Sequence, residues 1–173
     1  MAKKKVARRS AGDRNRIRQI IETIELVDIR LVRCGCAQML KDDELPDNLE
    51  TSLEVKGQFD KKSSMFLMLH GMRLVGTYES KSANTSPPLA IEAVFGARYE
   101  LMGKAQISDK DLEAFGRTVS MFHVWPYWRE FVRDVTARMG LPPLTMPIFR
   151  IPGFGAKANP ASATKKLPRK KKK

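Results

Sequence analysis

The stretch from residue 122 to residue 149 constrains the fold more than any other part of the chain, because it joins an amphipathic helix to a segment that cannot be helical. Apolar residues recur at spacings of 3, 1, 3 and 4, which predicts one apolar helical stripe made of Trp128, Phe131, Val132, Val135 and Met139. Pro126 suits the first turn of this helix, and Gly140 suits its end.

The exit segment, which we define as residues 141–149, follows this helix and carries three prolines among apolar side chains. Each proline fixes its own φ and pushes the preceding residue toward extended backbone, so the segment is predicted to be extended. An extended apolar segment must either be covered by the rest of the protein or bind something. This choice is central to any functional interpretation of the chain.

Four segments upstream carry the patterns of β-strands. Residues 27–37 combine β-branched side chains with a partial alternation, and residues 49–59 alternate cleanly between apolar and polar side chains. Residues 64–78 are apolar on both sides, which predicts a strand buried on both faces, and residues 89–102 alternate again. The sequence therefore predicts four strands in succession.

Helical patterns flank these strands. Ser108 with Asp111 three residues later forms a capping-box pattern, and the apolar residues from Leu112 to Phe122 then predict the first of two helices. Near the N-terminus, isoleucines at helical spacing predict a short helix that begins at Asp13. Three arginines in its first turns oppose the helix dipole, so a strand that begins near Ile20 remains the alternative.

The helix and its exit segment resemble the closing portion of the SecB family of protein-export chaperones. In that family a Phe-Pro-Tyr-led helix is followed by a small turn residue, a proline-containing loop, Leu-x-Leu and a last apolar run. The counterparts here are Trp125-Pro126-Tyr127, Gly140, Pro142-Pro143, Leu144-Thr145-Met146 and Ile148-Phe149. The order of four strands and then two helices matches over residues 27–151. The resemblance implies an α+β fold with a four-stranded antiparallel sheet, a crossover, helices on one side, and a dimer of dimers.

The same resemblance implies an ATP-independent holdase that binds unfolded or nonnative polypeptides in a hydrophobic groove. Apolar and aromatic residues at the end of the fold are the expected groove residues: Trp125, Trp128, Leu141, Leu144, Met146, Ile148 and Phe149. For the stripe that includes Trp128 and Val132, burial in the core or in a subunit interface is the favoured alternative. The methionines suit a surface that repacks around varied clients.

The charge is concentrated at the two ends of the chain. Residues 1–18 hold eight basic and one acidic residue, residues 151–173 hold eight basic and no acidic residues, and residues 19–150 are nearly neutral. We expect residues 1–12 and 153–173 to be disordered, which leaves one domain over residues 13–152. As an alternative function, the tail can bind nucleic acid or another polyanion through Lys165, Lys166, Arg169, Lys170, Lys171, Lys172 and Lys173.

Residues suited to catalysis or metal binding are few. Cys34 and Cys36 are predicted to lie on one face of a strand as buried or half-buried thiols, too far apart for the usual disulfide. His70 and His123 are the only histidines, and both are predicted to be structural. We therefore expect neither an enzyme nor a metal or cofactor site. No apolar run is long enough to span a membrane and no secretory signal is evident, so a cytoplasmic location is expected.

The chain departs from the SecB pattern in its charge. SecB proteins are typically acidic and bind the translocase motor SecA through acidic residues on the exposed face of the sheet. The matching part of the first strand instead carries Arg30 and Arg33. Because other SecB-like proteins serve as dedicated chaperones of unstable antitoxins, the resemblance leaves SecA and an antitoxin as alternative partners.

Overall fold

A computed structural model describes residues 11–40, 45–60, 64–79, 87–102 and 107–149. Residues 1–10 and 150–173 lie outside these described residues, so the predicted disorder of residues 1–10 and 153–173 remains a prediction, whereas Ala11 and Gly12 of the predicted arm belong to a helix. The elements, in chain order, are α1 (Ala11–Thr23), β1 (Ile24–Gln38), β2 (Asn48–Asp60), β3 (Met65–Thr77), β4 (Leu89–Leu101), α2 (Asp109–Phe115), a π-helical segment (Gly116–Ser120) and α3 (Met121–Arg138).

The four strands form one antiparallel sheet in the order β1-β4-β3-β2. β1 pairs with β4 rather than with β2, so the connection between β1 and β2 crosses over the sheet. Both the antiparallel sheet and the crossover were expected from the resemblance and are confirmed. Two irregularities in the pairing with β4, at Val27 and Val32, shift the faces on which the later side chains of β1 lie.

The core lies between one face of the sheet and the helices. Alternate residues of β3 and β4 point into it, and all of the following are almost fully buried: Phe66, Met68, His70, Met72, Leu74, Ile91, Phe95, Ala97 and Tyr99. The intervening apolar residues of β3, such as Leu67 and Leu69, are half-buried on the open face. The prediction that β3 is buried on both faces is therefore wrong within one chain, because no described element covers its second face.

α2, the π segment and α3 form one continuous helical run. The capping box predicted at Ser108 and Asp111 is present, since each residue's side chain accepts a hydrogen bond from the other's backbone N–H. The prediction that the second helix begins at Pro126 is wrong, because Pro126 lies inside α3. The irregular turn of the helical run lies at Gly116–Ser120 instead. Pro126 removes the hydrogen bond to the carbonyl of exposed Phe122, which water can satisfy instead.

The N-terminal alternative is settled in favour of a helix. α1 begins at Ala11, two residues before the predicted start, and it places Ile20 in the core. β1 then begins at Ile24, three residues before its predicted start.

No helix among the described residues is long and apolar enough to cross a membrane.

β1 is an edge strand whose side chains are mostly exposed, including Leu31 and Val32. Cys34 and Cys36 are also exposed, so the expectation of buried or half-buried thiols is wrong for the single chain. The reason is topological, because β1 pairs on one side only and no described helix covers this part of it. An edge strand with exposed apolar residues commonly pairs with another chain.

Candidate functional site

The exit segment turns back along α3 instead of leaving the fold. α3 ends at Arg138, and Gly140 adopts a φ of 75°, a conformation that glycine enters without steric cost. The N–H of Leu141 donates to the carbonyl of Thr136, which closes the turn. The predicted helix stop at Gly140 is therefore observed, and residues 142–149 belong to no helix or strand.

Three side chains of α3 hold the exit segment through its main chain. The indole N–H of Trp125 donates to the carbonyl of Pro147 at 2.8 Å, and Nε of Arg129 donates to the carbonyl of Met146 at 2.9 Å. The N–H of Leu144 donates to Oγ1 of Thr136 at 3.0 Å. These contacts bind the backbone of the exit segment, so they place it without depending on its side chains.

The predicted groove residues lie together along α3, but their exposure differs. Trp125, Trp128 and Met146 are 7%, 0% and 6% exposed, so the described chain buries all three. The remaining residues of the set are half-buried or exposed and all belong to the exit segment: Leu141, Leu144, Ile148 and Phe149. Ile148 is the most exposed of the set at 73%.

Aromatic packing joins the two parts of this site. The rings of Trp125 and Phe149 lie 5.4 Å apart, which places the end of the exit segment against the first half of α3. Trp128 stacks on Phe131 at 6.1 Å, within the core. The indole N–H of Trp128 is buried and has no hydrogen-bond partner among the described residues. The site is therefore an apolar surface along α3 and the exit segment, in which Ile148 is exposed and Trp125 is buried.

A buried chain of polar side chains, which no sequence pattern indicated, lies beneath the helices. Nε2 of His70 lies 2.7 Å from Oγ of Ser120, which accepts a hydrogen bond from the Tyr99 hydroxyl at 2.9 Å. The Tyr99 hydroxyl also lies 3.1 Å from Nδ1 of His123. The partners are 21 to 50 residues apart in sequence, so spacing alone could not connect them.

Burial shifts the titration of this chain of groups. It lowers the pKa of His70 to about 4 and also lowers the pKa of His123, so both are neutral imidazoles at pH 7. Burial raises the pKa of Tyr99 to about 12, although its hydrogen bond with Ser120 acts in the opposite direction. Ser120 is fully buried and unreachable by a substrate, so its contact with His70 serves structure rather than nucleophilic catalysis.

The open face of the sheet carries charges of both signs. Oδ2 of Asp28 accepts hydrogen bonds from both Arg30 and Arg98, and the hydrogen bond from Arg30 is the main cause that holds the pKa of Asp28 below its usual value. Arg73 pairs with Glu92 at 2.6 Å, within a shallow depression of about 510 Å³. This face is thus not the acidic surface through which SecB proteins bind SecA.

Metal-ligating side chains do not converge within the part of the chain that the structure describes. No three His, Cys, Asp or Glu side chains there lie close enough to hold a metal ion. Partial desolvation, together with neighbouring Cys34, raises the pKa of the Cys36 thiol, which disfavours the thiolate that a metal needs.

Comparison with known proteins finds similarity to SecB-like chaperones in both sequence and fold. No protein-family model matches the chain. It is 40% identical over 50 residues to the SecB-like chaperone Rv1957 of Mycobacterium tuberculosis strain H37Rv, and equally to the SecB-like chaperone MT2006 of strain CDC 1551. The matched segment spans 29% of this chain and 28% of each relative, which is less than a third of their length.

A solved structure extends the likeness to the fold. The M. tuberculosis Rv1957 SecB-like chaperone, in complex with a ChAD peptide from the Rv1956 HigA1 antitoxin, superposes with a TM-score of 0.67 at 22% identity. The superposition covers 82% of this chain and 100% of that one. The predicted resemblance to SecB-like chaperones is thereby confirmed, and the fold of the sheet and helices is the SecB-like fold.

Proposed function

We propose that this protein is an ATP-independent holdase chaperone that binds unfolded or nonnative polypeptides along the edge formed by α3 and the exit segment. The observation that carries the proposal is the exit segment itself, which is apolar and held along α3 by hydrogen bonds to its main chain. Its Met146 side chain is buried and Leu141, Leu144 and Phe149 pack partly against the core, whereas Ile148 is 73% exposed and free to contact a client. The protein acts by binding rather than as an enzyme.

Hydrophobic contact supplies the binding free energy in this proposal. Burying apolar surface contributes about 25 cal/mol per Å², and an aromatic side chain buries roughly 150–250 Å². Contact of a client with Ile148, Leu144 and the outer edge of the Phe149 ring therefore offsets a large part of an association cost of several kcal/mol. By holding clients, the chaperone lowers the concentration of free unfolded chains and slows their aggregation.

The favoured client is an antitoxin or another dedicated partner. The relative with the same fold binds a peptide from an antitoxin, which supports this choice. The open face of the sheet argues against a role in export, because Arg30 and Arg98 pair with Asp28 and Arg73 pairs with Glu92, so the face carries balanced charge where SecA would need acidic residues. A dedicated chaperone needs only the client groove.

The proposal includes self-assembly as a dimer of dimers. The exposed edge of β1, with Leu26, Val27, Leu31 and Val32 on it, supports pairing with a second copy.

We place the protein in the cytoplasm, since a reducing compartment keeps the exposed Cys34 and Cys36 as thiols.

A polyanion-binding function of the termini is the second candidate, and the concentration of charge favours it. Residues 151–173 hold eight basic residues and no acidic ones. If all eight met phosphates, log K for nucleic acid would fall with log salt at a slope of roughly −7. This function and the holdase function use different parts of the chain, so they can be separated by truncation.

Removing residues 1–10 and 154–173 tests both functions together. The truncation keeps α1, whose Ile20 belongs to the core. We expect the shortened chain to suppress aggregation of a chemically unfolded reporter in nucleotide-free buffer within about twofold of the full chain, because the groove is intact. Salt-sensitive retention on immobilised DNA should disappear. Light scattering and column retention measure the two activities, and loss of aggregation suppression on truncation would contradict the holdase proposal.

A further inference from the structure

Trp125 and Met146, two groove residues that the structure buries, lie where α3 and the exit segment meet. Met146 is 6% exposed and packs within the same core cluster as Trp125, and the Phe149 ring lies against the Trp125 ring. A client cannot reach these side chains while the exit segment is in place. The described structure therefore corresponds to a closed groove.

We propose that the exit segment is a gate that Arg129 and Thr136 hold shut, and that clients enter between it and α3. The inference rests on the proposed holdase function and adds how its site is regulated. When the gate opens, Met146 and Phe149 on one side and Trp125 on the other line a single apolar groove. An extended apolar segment fits it, because such a segment is what the groove holds when closed.

Three hydrogen bonds close the exit segment onto α3, made by the side chains of Trp125, Arg129 and buried Thr136. Arg129 is half-buried, and its Nε makes one hydrogen bond to the exit segment, to the Met146 carbonyl. Thr136 accepts from the N–H of Leu144 while its own hydroxyl donates back to the carbonyls of α3. Both side chains hold only main-chain atoms of the exit segment. They can therefore be changed without altering any apolar side chain that would line the open groove.

Arg129→Met is expected to raise the affinity for an unfolded client about tenfold, because it removes a charge-assisted hydrogen bond that stabilises the closed state. Arg133→Met is the matched control, since Arg133 lies one turn further along α3 and its guanidinium pairs with Glu130 of the same helix. The assay is fluorescence anisotropy with a labelled, reduced and carboxymethylated protein as the client. Acrylamide quenching of tryptophan should also rise in Arg129→Met without client, because Trp125 loses its cover.

Thr136→Val provides a second test should Arg129→Met fold poorly. It should raise client affinity in the same direction, and Thr118→Val is its control, because Thr118 makes a comparable hydrogen bond to its own helix but does not touch the exit segment. Unchanged or weaker client binding by folded Arg129→Met and Thr136→Val, relative to their controls, would overturn the gate. If the wild-type chain bound no client at all, the holdase proposal itself would fail instead.

Discussion

A chain carrying Leu144→Asp together with Ile148→Asp is expected to bind unfolded clients about thirtyfold more weakly than the wild-type chain. Both side chains belong to the exit segment; Ile148 is 73% exposed, whereas Leu144 is half-buried against the core. Burying an aliphatic side chain contributes roughly 1.5–3 kcal/mol, and a carboxylate in its place adds a desolvation cost. A combined loss of about 2 kcal/mol corresponds to this change in Kd.

The matched control replaces two exposed apolar residues outside the groove, Leu53→Asp with Met102→Asp. Leu53 is 44% exposed on β2, and Met102 is 52% exposed just after β4, so the charge change and the loss of apolar surface are comparable. Titration of a labelled unfolded client into each chain gives the two affinities. Equal losses in both variants would show that general surface charge, rather than the exit segment, governs client binding. A changed subunit mass in Leu144→Asp/Ile148→Asp would show that the exit segment is an interface.

Acid is expected to destabilise the fold through His70 by roughly 3 kcal/mol between pH 6.5 and pH 4. The pKa of His70 falls from 6.5 to about 4 on folding, because its ring is fully buried. Its Nε2 contacts Ser120, which in turn accepts from Tyr99. Between these two pKa values, His70 is protonated in the unfolded chain and neutral in the folded chain. The contribution of His70 to stability is complete above pH 6.5 and is lost as the pH falls toward 4.

Urea unfolding followed by circular dichroism across this pH range measures the effect. Carboxyl groups also titrate there, so the informative quantity is the difference between the wild-type chain and His70→Gln, which cannot titrate. We expect His70→Gln to be less stable at pH 7 and to show a flatter pH dependence. His123→Gln should flatten it less, because His123 is only half-buried. Parallel pH profiles for the wild-type chain and His70→Gln would contradict the assignment.

The sequence predicted the elements that follow from local periodicity. The alternation of β2 and β4 places both strands within one residue of their predicted bounds, and the apolar stripe of α3 faces the core as predicted. The start of α3 was predicted wrongly because proline is common in the first turn of a helix. Here Pro126 lies on the exposed side of α3, which tolerates it inside the helix. The irregular turn at Gly116 instead accompanies close packing, since an added Cβ there would meet the side chains of Met68 and Val55.

Long-range relations were beyond the reach of the sequence. The buried chain from His70 through Ser120 to His123 joins three distant segments, and no motif signals it. The exposure of Cys34 could not be predicted either, because it depends on the position of β1 at the edge of the sheet. That position follows from the crossover. Burial of Trp125 likewise depends on the exit segment folding back on α3, which a proline-rich pattern alone does not specify.

Site-specific photocrosslinking tests the central claim most directly, because it asks where an unfolded client touches the protein. A benzophenone amino acid placed at Ile148 should crosslink to an unfolded client in nucleotide-free buffer, whereas the same group at Leu53 should give little product. Both positions are exposed, Ile148 to 73% and Leu53 to 44%. Crosslinks from Leu53 that equalled or exceeded those from Ile148 would contradict client binding at the exit segment.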